Sequence, residues 1–400
     1  MTIRVLIAVT HLLGVGHLAR AAALARGLRG AGHEVTLVSG GAPAPQLHVF
    51  GCRQVQLPPV HIRGTAFSHL LDENEQPISD ALRTRRREVL LAALHEAQPD
   101  VVVTELFPFG RRALADEFLA LIDEARACPH PPAIVASVRD ILVAPAKPER
   151  VAQAHDRLRA FYDLVLAHGD PAVLPLERSW PLDKAVAPLL RYTGYIDPDE
   201  PEPVTGQGDE IVVSGGGSAA ALPLFRAAVD AARLFPGKPW RILVGRGVPE
   251  ADFAALHTSA PPHAVVERSR ADFPSLLARA AVSVSQAGYN TVVDVMRARV
   301  RAVLVPFEAG NETEQRLRAE SFAAMPPVDG AAAPFVVLPE AELSASALVQ
   351  AVTNALERSA PGRIAIDRNG ISRSVALLEE VAHSRDFSRD HEQADAFSPA

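Results

Sequence analysis

The sequence predicts an α/β protein with two domains, each built around a parallel sheet. Short apolar runs such as Ile3–Val9 alternate with glycine-containing turns and helical stretches, and a second series of this kind starts near residue 210. Between the two series, residues 196–209 are acidic and rich in proline, which is typical of a linker. A chain of 400 residues suits two domains of about 150–200 residues. We therefore assign residues 1–195 and 210–370 to the two domains.

Composition excludes several kinds of protein. A net charge of −7 gives the chain no general basic face, so we expect no nucleic-acid partner. Cys52 and Cys128 lack metal-type spacing, and such sparse cysteine usage is typical of a reduced compartment. No apolar run approaches the roughly 18 residues of a spanning helix, and the N-terminal run is too short for a secretory signal. We therefore predict a cytoplasmic protein whose membrane contact, if it has any, is peripheral and on the inner face.

A glycine loop follows the first apolar run and precedes a strongly helical stretch. Gly14 and Gly16 form half of a dinucleotide-binding fingerprint, but Ala19 stands where the third glycine belongs. Two glycines at this spacing are weak evidence for a nicotinamide cofactor, and we expect no cofactor. His17 follows the second glycine directly, and Arg20 lies one helical turn further on.

Residues 281–320 form the most informative stretch of the second half. Val282–Ser285 is short and apolar enough to be a buried strand, and Gly288 in the next turn permits close backbone approach. Thr291 can cap the helix that follows, and a second strand run, Arg301–Pro306, ends in a polar loop. Both loops open at the carboxyl ends of parallel strands, where open α/β sheets bind ligands. Many α/β proteins contain such a unit without a ligand.

Three consecutive glycines, Gly215, Gly216 and Gly217, follow the strand run 210–213 and precede another helix. Unshielded N–H groups and a helix N-terminus both favour a phosphate, so this loop and Ser218 can form an anion site. A simple tight turn is the alternative interpretation.

The segment after residue 281 resembles the donor-nucleotide motif of GT-B glycosyltransferases, especially family 28 members related to the lipid II-forming N-acetylglucosaminyltransferase of peptidoglycan synthesis. Asp294 departs from that motif, since the family usually has glutamate there. The loop from Gly14 to Arg20 also resembles the N-terminal loop of these enzymes, in which a histidine follows the glycines. The matching positions of the donor motif are Ser285, Gly288, Thr291, Asp294, Val305–Pro306–Phe307 and Glu314–Gln315.

The resemblance extends in order over nearly the whole chain. It implies the GT-B fold, in which two Rossmann-like domains with parallel sheets face a central cleft. It also implies that a closing helix, 371–383, packs back on the N-terminal domain. The remaining residues, 384–400, are polar, and we expect them to form a disordered tail.

His17 is the predicted catalytic base. Inverting transfer requires removal of a proton from the acceptor hydroxyl as it attacks the sugar, and imidazole suits that step near neutral pH. The dipole at the start of a helix disfavours imidazolium, which keeps the base form available. Glu105 follows the strand run 100–104 and is predicted to orient His17 by accepting its other N–H. A histidine that only caps its helix and a strand-end carboxylate at the surface are the alternatives.

The resemblance also implies a donor site in the second domain. The glycine loop would hold the diphosphate, Asp294 the ribose and Gln315 the sugar, while Arg270 and Phe273 lie where the family has its base pocket. No metal is expected, because loop N–H groups and a helix N-terminus take the charge of the leaving diphosphate. The predicted donor-binding residues are Gly215, Gly216, Gly217, Ser218, Arg246, Arg270, Phe273, Gly288, Asn290, Thr291, Asp294, Glu314 and Gln315; those of the acceptor-side loop are Gly14, Gly16 and Arg20.

Two further patterns have plainer interpretations. Asp197 and Asp199 have the D-x-D spacing of metal sites in another glycosyltransferase class, but neighbouring prolines favour a linker. The helical stretch 79–98 carries Arg83, Arg85, Arg86 and Arg87. We interpret these arginines as a solvated face, with a patch that binds anionic lipid as the alternative.

We therefore predict an inverting, metal-independent glycosyltransferase that moves a hexosyl group from a nucleoside diphosphate sugar, with uridine as the nucleoside, to an acceptor hydroxyl. The sequence leaves the acceptor open, and a lipid is one option. One alternative is a UDP-sugar hydrolase of the pseudaminic acid pathway type, which shares the fold and a similar N-terminal loop. The irregular stretch 40–76 favours transfer, since an organic acceptor needs its own walls. The other alternative is a noncatalytic nucleotide-sugar-binding protein.

Overall fold

The computed structural model describes residues 1–64, 67–143, 145, 147–197, 208–217, 219–309, 313–328, 335–358 and 364–396, with side chains to residue 385. Ser218 and most of the predicted linker 196–209 therefore lie outside the described residues. Close contacts divide the chain into two compact units. The first unit comprises Met1–Pro171, Pro175–Pro198 and Asp367–Ala400, and the second unit comprises Ala172–Leu174 and Asp199–Ile366.

The described strands form one seven-stranded sheet in the first unit and one six-stranded sheet in the second. The strands of the first sheet are β1 (Arg4–Val9), β2 (Glu34–Ser39), β3 (Arg53–Gln56), β4 (Val101–Glu105), β5 (Ala133–Arg139), β6 (Leu164–His168) and β7 (Leu190–Tyr192). Those of the second sheet are β8 (Ile211–Ser214), β9 (Trp240–Val244), β10 (Ala264–Arg268), β11 (Val282–Ser285), β12 (Ala302–Leu304) and β13 (Phe335–Val337).

Helices separate most of these strands along the chain. In the part of the chain that the structure describes, no helix is long and apolar enough to cross a membrane. The helices are α1 (Gly16–Gly30), α2 (Asp80–Ala97), α3 (Ala115–Ala127), α4 (Pro148–Phe161), α5 (Leu222–Leu234), α6 (Glu250–Ser259), α7 (Phe273–Arg279), α8 (Tyr289–Ala298), α9 (Glu314–Ala324), α10 (Ala345–Glu357) and α11 (Gly370–Ala396).

Both sheets are entirely parallel, with strand orders β3-β2-β1-β4-β5-β6-β7 and β10-β9-β8-β11-β12-β13. Each order reverses next to the first strand of its unit, between β1 and β4 and between β8 and β11, as in a Rossmann fold. The central strands β4, β8 and β11 are buried over their whole length, which is what a parallel sheet covered on both faces requires. The predicted α/β class with two parallel sheets is confirmed.

The closing helix α11 packs against α1 within the first unit. A Cβ atom at Gly27 would lie 2.1 Å from Cγ2 of Ile371, so glycine permits this close approach. The helix continues to Ala396, whereas residues 384–400 were predicted to form a disordered tail. Arg385, beyond the predicted helix end, donates to the carbonyl of Pro132 at 3.0 Å. No glycine or proline interrupts the sequence between 371 and 398, so polarity alone was a poor guide to the helix end.

Arg86 corrects the interpretation of the arginines on α2 as a solvated face. Its side chain is fully buried and forms a bidentate ion pair with Glu117, both N···O distances being 2.8 Å. It also donates to the carbonyls of Gly40, at 2.8 Å, and Pro58. Because these carbonyls follow β2 and β3, Arg86 holds the loops at the carboxyl edge of the first sheet.

Replacing Arg86 should destabilise the first unit strongly. In Arg86→Met, Glu117 keeps its charge in a buried position without a partner, and we expect a loss of about 3–5 kcal/mol in the free energy of unfolding. Arg87→Met is the matched control, because Arg87 is exposed one residue away, and should change stability by no more than about 0.5 kcal/mol. Urea unfolding of the two variants measures the difference. Equal stabilities would show that the buried pair is not needed.

Candidate active site

The two central strands of the first sheet bring His17 and Glu105 together at its carboxyl edge. His17 lies in the first turn of α1, directly after the loop that follows β1. Glu105 is the last residue of β4, which pairs with β1. Residues that are far apart in sequence thus meet where the strand order reverses, the place at which open α/β sheets bind ligands.

The side chains of His17 and Glu105 are directly hydrogen-bonded. Nδ1 of His17 lies 2.9 Å from Oε1 of Glu105, whose carboxylate is 1% exposed. The His17 side chain remains 15% exposed. An ionised carboxylate only accepts hydrogen bonds, so Nδ1 carries the proton and Nε2 keeps its lone pair. The capping alternative for His17 has no support, since its ring binds Glu105 and not the end of α1.

Arg20 completes this group from the next turn of α1. Its guanidinium, 3% exposed, forms an ion pair with the same oxygen of Glu105 and lies 3.2 Å from Nδ1 of His17. Arg20 cannot donate to a protonated Nδ1. We therefore interpret the 3.2 Å distance between Arg20 and His17 as the result of both side chains donating to Oε1 of Glu105. On the opposite oxygen, Oγ of Ser137 lies 2.6 Å from Oε2.

This environment keeps Glu105 ionised and His17 neutral. Burial alone would raise the pKa of Glu105, but the charge of Arg20 and the hydrogen bonds from His17 and Ser137 outweigh it and hold that pKa well below its usual range. Burial and the positive charge of Arg111 lower the pKa of His17 to about 3, against the opposing effect of Glu105. The imidazole is therefore available as a base throughout the neutral pH range.

A second buried histidine lies behind this group. His168, the last residue of β6, is fully buried, and burial followed by the charge of Arg20 lowers its pKa to about 3. Its Nε2 lies 3.0 Å from Oγ of Ser137, and its Nδ1 lies 2.9 Å from Oγ1 of Thr193.

The acceptor-side glycines lie at the entrance to α1. Gly16 is the first residue of the helix, and a Cβ at Gly14 would meet no atom within 4 Å, so the loop leaves open space beside it. Arg111 approaches from another loop, where its Nε donates to the carbonyl of Thr10 at 2.5 Å.

In the second unit, the glycine loop 215–217 is built at the carboxyl end of β8. Gly216 has φ of +69°, a conformation that glycine adopts without strain. A Cβ at Gly215 would lie 2.0 Å from Cβ of Ala221. A Cβ at Gly245, which follows β9, would lie 2.2 Å from the carbonyl oxygen of Gly216. Only glycine fits these positions, so backbone groups pack tightly around the loop.

The turn after β11 is held by a buried arginine. Arg318, 1% exposed, donates to the carbonyl of Ala287 at 2.8 Å and pairs with Glu314 at 2.7 Å. Glu314 is itself only 5% exposed, so its carboxylate contributes to this internal ion pair. The helix α8 begins at Tyr289 with Gly288 as its N-cap, so Thr291 lies inside the first turn and is not the predicted cap.

Two further donor residues lie on α8 and α9. Asp294 accepts a hydrogen bond from Arg297 at 2.9 Å, and its side chain is 22% exposed. The side-chain oxygen Oε1 of Gln315 accepts a hydrogen bond from the backbone N–H of Phe307 at 3.1 Å. The side-chain nitrogen Nε2 does not take part in this bond. Asn290 lies half-buried in the first turn of α8.

The remaining predicted residues lie near β9 and β10. Arg246 is exposed in the loop after β9, and Phe273 begins α7, half-buried. Arg270 is exposed and forms an ion pair with Asp272 at 2.7 Å, so its charge is already matched. The structure does not bring these three side chains into a common contact in the residues described.

Sequence reasoning missed Ser137, His168, Arg111 and Arg318. Ser137 and His168 lie at or near the ends of two apolar strand runs, and the neighbouring order of strands in a parallel sheet is the signal that would have joined them to Glu105. Arg111 and Arg318 gave no signal, because the sequence does not show which arginines turn inward. Asp197, which was interpreted as part of the linker, pairs with Arg368 at 3.0 Å, and Asp199 lies outside the described residues.

Comparison with known proteins identifies the class. Residues 211–364 match the family model described as the Glycosyltransferase family 28 C-terminal domain. No curated protein sequence matches the chain. The calicheamicin glycosyltransferase CalG4 is 18% identical, with 100% of both chains covered and a TM-score of 0.57. MurG of Acinetobacter baumannii is 16% identical, with 94% of this chain and 99% of that chain covered and a TM-score of 0.53.

A plant structure has the same fold. UGT2 of Phytolacca americana, complexed with UDP-2fluoro-glucose and pterostilbene, is 13% identical over 96% of this chain and 95% of that chain, with a TM-score of 0.58. The family match in the second unit and the fold shared along the chain confirm the class predicted from the sequence. The protein is a glycosyltransferase of the GT-B fold, similar to family 28.

The buried histidines predict that stability falls in mild acid. Unfolded histidine binds a proton below about pH 6.5, whereas folded His168 stays neutral down to about pH 3. The unfolded state therefore binds more protons below pH 6.5, and stability is lost as pH falls. His168→Gln removes the proton that His168 binds in the unfolded state. The free energy of unfolding of this variant should therefore depend less steeply on pH, by about 1.4 kcal/mol per pH unit near pH 5.5.

Urea unfolding at several pH values between 5 and 8 tests this expectation. Wild type and His168→Gln should differ at pH 8 only by the pH-independent effect of the substitution, and their stability curves should converge towards pH 5. Parallel curves would mean that His168 has the same pKa in the folded and the unfolded protein, which would contradict the expectation.

Proposed function

We propose that the protein transfers a hexosyl group from a UDP-sugar to an acceptor hydroxyl, with inversion and without a metal ion. The observation that carries this proposal is the hydrogen bond from His17 Nδ1 to the buried carboxylate of Glu105. It fixes one tautomer and turns the basic nitrogen, Nε2, away from Glu105. Among the described residues, Nε2 makes no hydrogen bond, which suits a nitrogen that takes a proton from a substrate.

The proposed reaction is a single displacement. Nε2 of His17 removes the proton of the acceptor hydroxyl, and the hydroxyl oxygen forms a bond to the anomeric carbon. The bond from that carbon to the diphosphate oxygen breaks on the opposite face, so the configuration is inverted. Glu105 stabilises the imidazolium that forms, because its negative charge lies 2.9 Å from the second nitrogen. Arg20 and Ser137 keep Glu105 ionised for this role.

The donor is proposed to bind the second unit. A Cβ at Gly216 would meet no atom within 4 Å, so there is open space beside the loop 215–217, where we propose that its backbone N–H groups bind a diphosphate. Asp294, oriented by Arg297, would accept hydrogen bonds from ribose hydroxyls, and the amide nitrogen of Gln315 would donate to the sugar. Proteins of similar fold bind thymidine diphosphate and UDP-2fluoro-glucose in their crystal complexes, which supports a nucleoside diphosphate as the donor group. Uridine is our choice from the family resemblance.

The acceptor is proposed to be an alcohol bound on the first unit. The arginines of α2 give little support to a lipid surface as its source. Arg83 donates to the carbonyl of Ala113, Arg85 pairs with Glu88, and Arg86 is buried. The cytoplasmic location remains a prediction from composition.

Replacing His17 should abolish turnover and leave donor binding unchanged. In His17→Ala the proposed base is absent, so kcat should fall by about 10²–10⁴. UDP affinity should stay the same, because the proposed donor residues all lie in the second unit. Release of UDP from a panel of UDP-sugars, with candidate alcohols and with lipid extract, measures turnover, and calorimetry measures UDP binding.

The same panel separates the competing functions. UDP released by wild type without any acceptor would favour the hydrolase, and binding without release would favour a noncatalytic protein. A stable His17→Ala variant with near-normal kcat would remove His17 from the mechanism.

Asp294 should determine the affinity for UDP. Asp294→Ala loses a charged acceptor, and we expect UDP binding to weaken by about 1–3 kcal/mol. Asp294→Glu is the matched control and should bind nearly as well as wild type, because it keeps both carboxylate oxygens. Calorimetry with UDP and with TDP also tests the choice of base. Equal UDP affinity in wild type and Asp294→Ala would exclude Asp294 from the donor site.

A further inference from the structure

A line of buried hydrogen bonds runs from Glu105 along the carboxyl edge of the first sheet. Glu105 ends β4, Ser137 lies in β5, His168 ends β6, and Thr193 follows β7, so the four residues lie on or next to neighbouring strands. The successive distances are 2.6, 3.0 and 2.9 Å. Each of these residues is at most 3% exposed.

The charge of Glu105 determines where the protons of this line lie. An ionised carboxylate cannot donate, and oxygens 2.6 Å apart need a proton between them, so the hydroxyl of Ser137 donates to Glu105. A hydroxyl has one proton, and Ser137 can therefore only accept from His168. This requires a proton on Nε2 of His168, so that Nδ1 carries the lone pair. Nδ1 lies 2.9 Å from Oγ1 of Thr193, whose hydroxyl proton has a second acceptor, the carbonyl oxygen of Gly194, at 2.8 Å.

We propose that Ser137 and His168 are positioning residues that keep Glu105 ionised and so set the basicity of His17. The role in turnover rests on the proposed function, whereas the proton arrangement does not. His168 donates to Ser137, which strengthens the donation from Ser137 to the carboxylate. The charged and titratable groups that face this line are Arg20, Arg111 and His17. Of the four residues that form the line, Glu105 is the one with a carboxylate.

The proposal predicts the sign of a pKa change. A hydrogen bond to the ionised form of an acid favours ionisation, so its loss makes the His17–Glu105 pair bind a proton more readily. Without Ser137 or His168, the acidic limb of the profile of kcat/KM against pH should move to higher pH by about one unit. The KM for the UDP-sugar should not change, because its proposed site is in the second unit.

The first measurement needs no substrate. The nitrogen chemical shifts of uniformly ¹⁵N-labelled wild type, with His168 assigned by comparison with His168→Gln, distinguish the two neutral tautomers at pH 7. We expect a proton on Nε2. A proton on Nδ1, or a charged ring, would overturn the proposal. The Nε2–H tautomer in a protein with no transfer activity would instead contradict the proposed function alone.

Variants then test the role in turnover. Ser137→Ala and His168→Leu should each move the acidic limb of the profile of kcat/KM against pH to higher pH. Each should also lower kcat about tenfold. His168→Gln places an amide N–H close to the position of Nε2 and should restore most of both. If His168 acts through Ser137, adding His168→Leu to Ser137→Ala should cause no further movement of the limb. The proposal would be overturned if the acidic limb moved further in the double variant than in Ser137→Ala, or if it did not move in either single variant.

His155→Leu is the matched control for loss of a buried histidine. His155 is 6% exposed and accepts a hydrogen bond from Trp180 at 3.3 Å, in the same unit but outside the line. We expect a lower melting temperature and an unchanged acidic limb. If His168→Leu does not fold, Ser137→Ala carries the test, because it removes one oxygen atom. An acidic limb that moved equally in His155→Leu would show a general effect of stability.

Discussion

The carboxylate of Glu105 is the group on which the first unit's site depends. A carboxylate that is 1% exposed is costly to ionise, and it stays ionised only because Arg20, His17 and Ser137 all bind it. In return, its charge selects the tautomer of His17 and, through Ser137, the tautomer of His168. One buried charge thus orders the protons of two imidazole rings and keeps the lone pair of His17 in a defined direction.

Parallel topology explains why these groups meet. The carboxyl ends of the central strands lie side by side, so each strand delivers its next residue to a common edge. His17 follows β1, Glu105 ends β4 and Ser137 lies in β5, and the neighbouring order of these strands turns large sequence separations into contacts. The second unit repeats the plan, with the glycine loop after β8 next to the turn after β11.

Much of the fold was predictable, because buried parallel strands are read directly as apolar runs separated by glycine turns. His17 and Glu105 could be picked out because a glycine loop and a strand end are local signals. Burial of a long polar side chain is not local. Arg86 lies among exposed arginines in the sequence and is fully buried, and Glu314 looks like a ligand residue but pairs with Arg318. The end of α11 was misjudged since polarity does not end a helix that lacks glycine and proline.

Three buried arginine–glutamate pairs share one structural task. Arg20–Glu105 joins α1 to β4, Arg86–Glu117 joins α2 to α3 below two strand-end loops, and Arg318–Glu314 ties α9 to the turn after β11. Such pairs gain little stability over apolar packing, because both charges lose water. Their fixed geometry is what a site needs, since loops alone position groups less accurately than helices and strands. These three pairs therefore lie near the carboxyl ends of strands, where the chemistry proposed for this protein requires precise placement of polar groups.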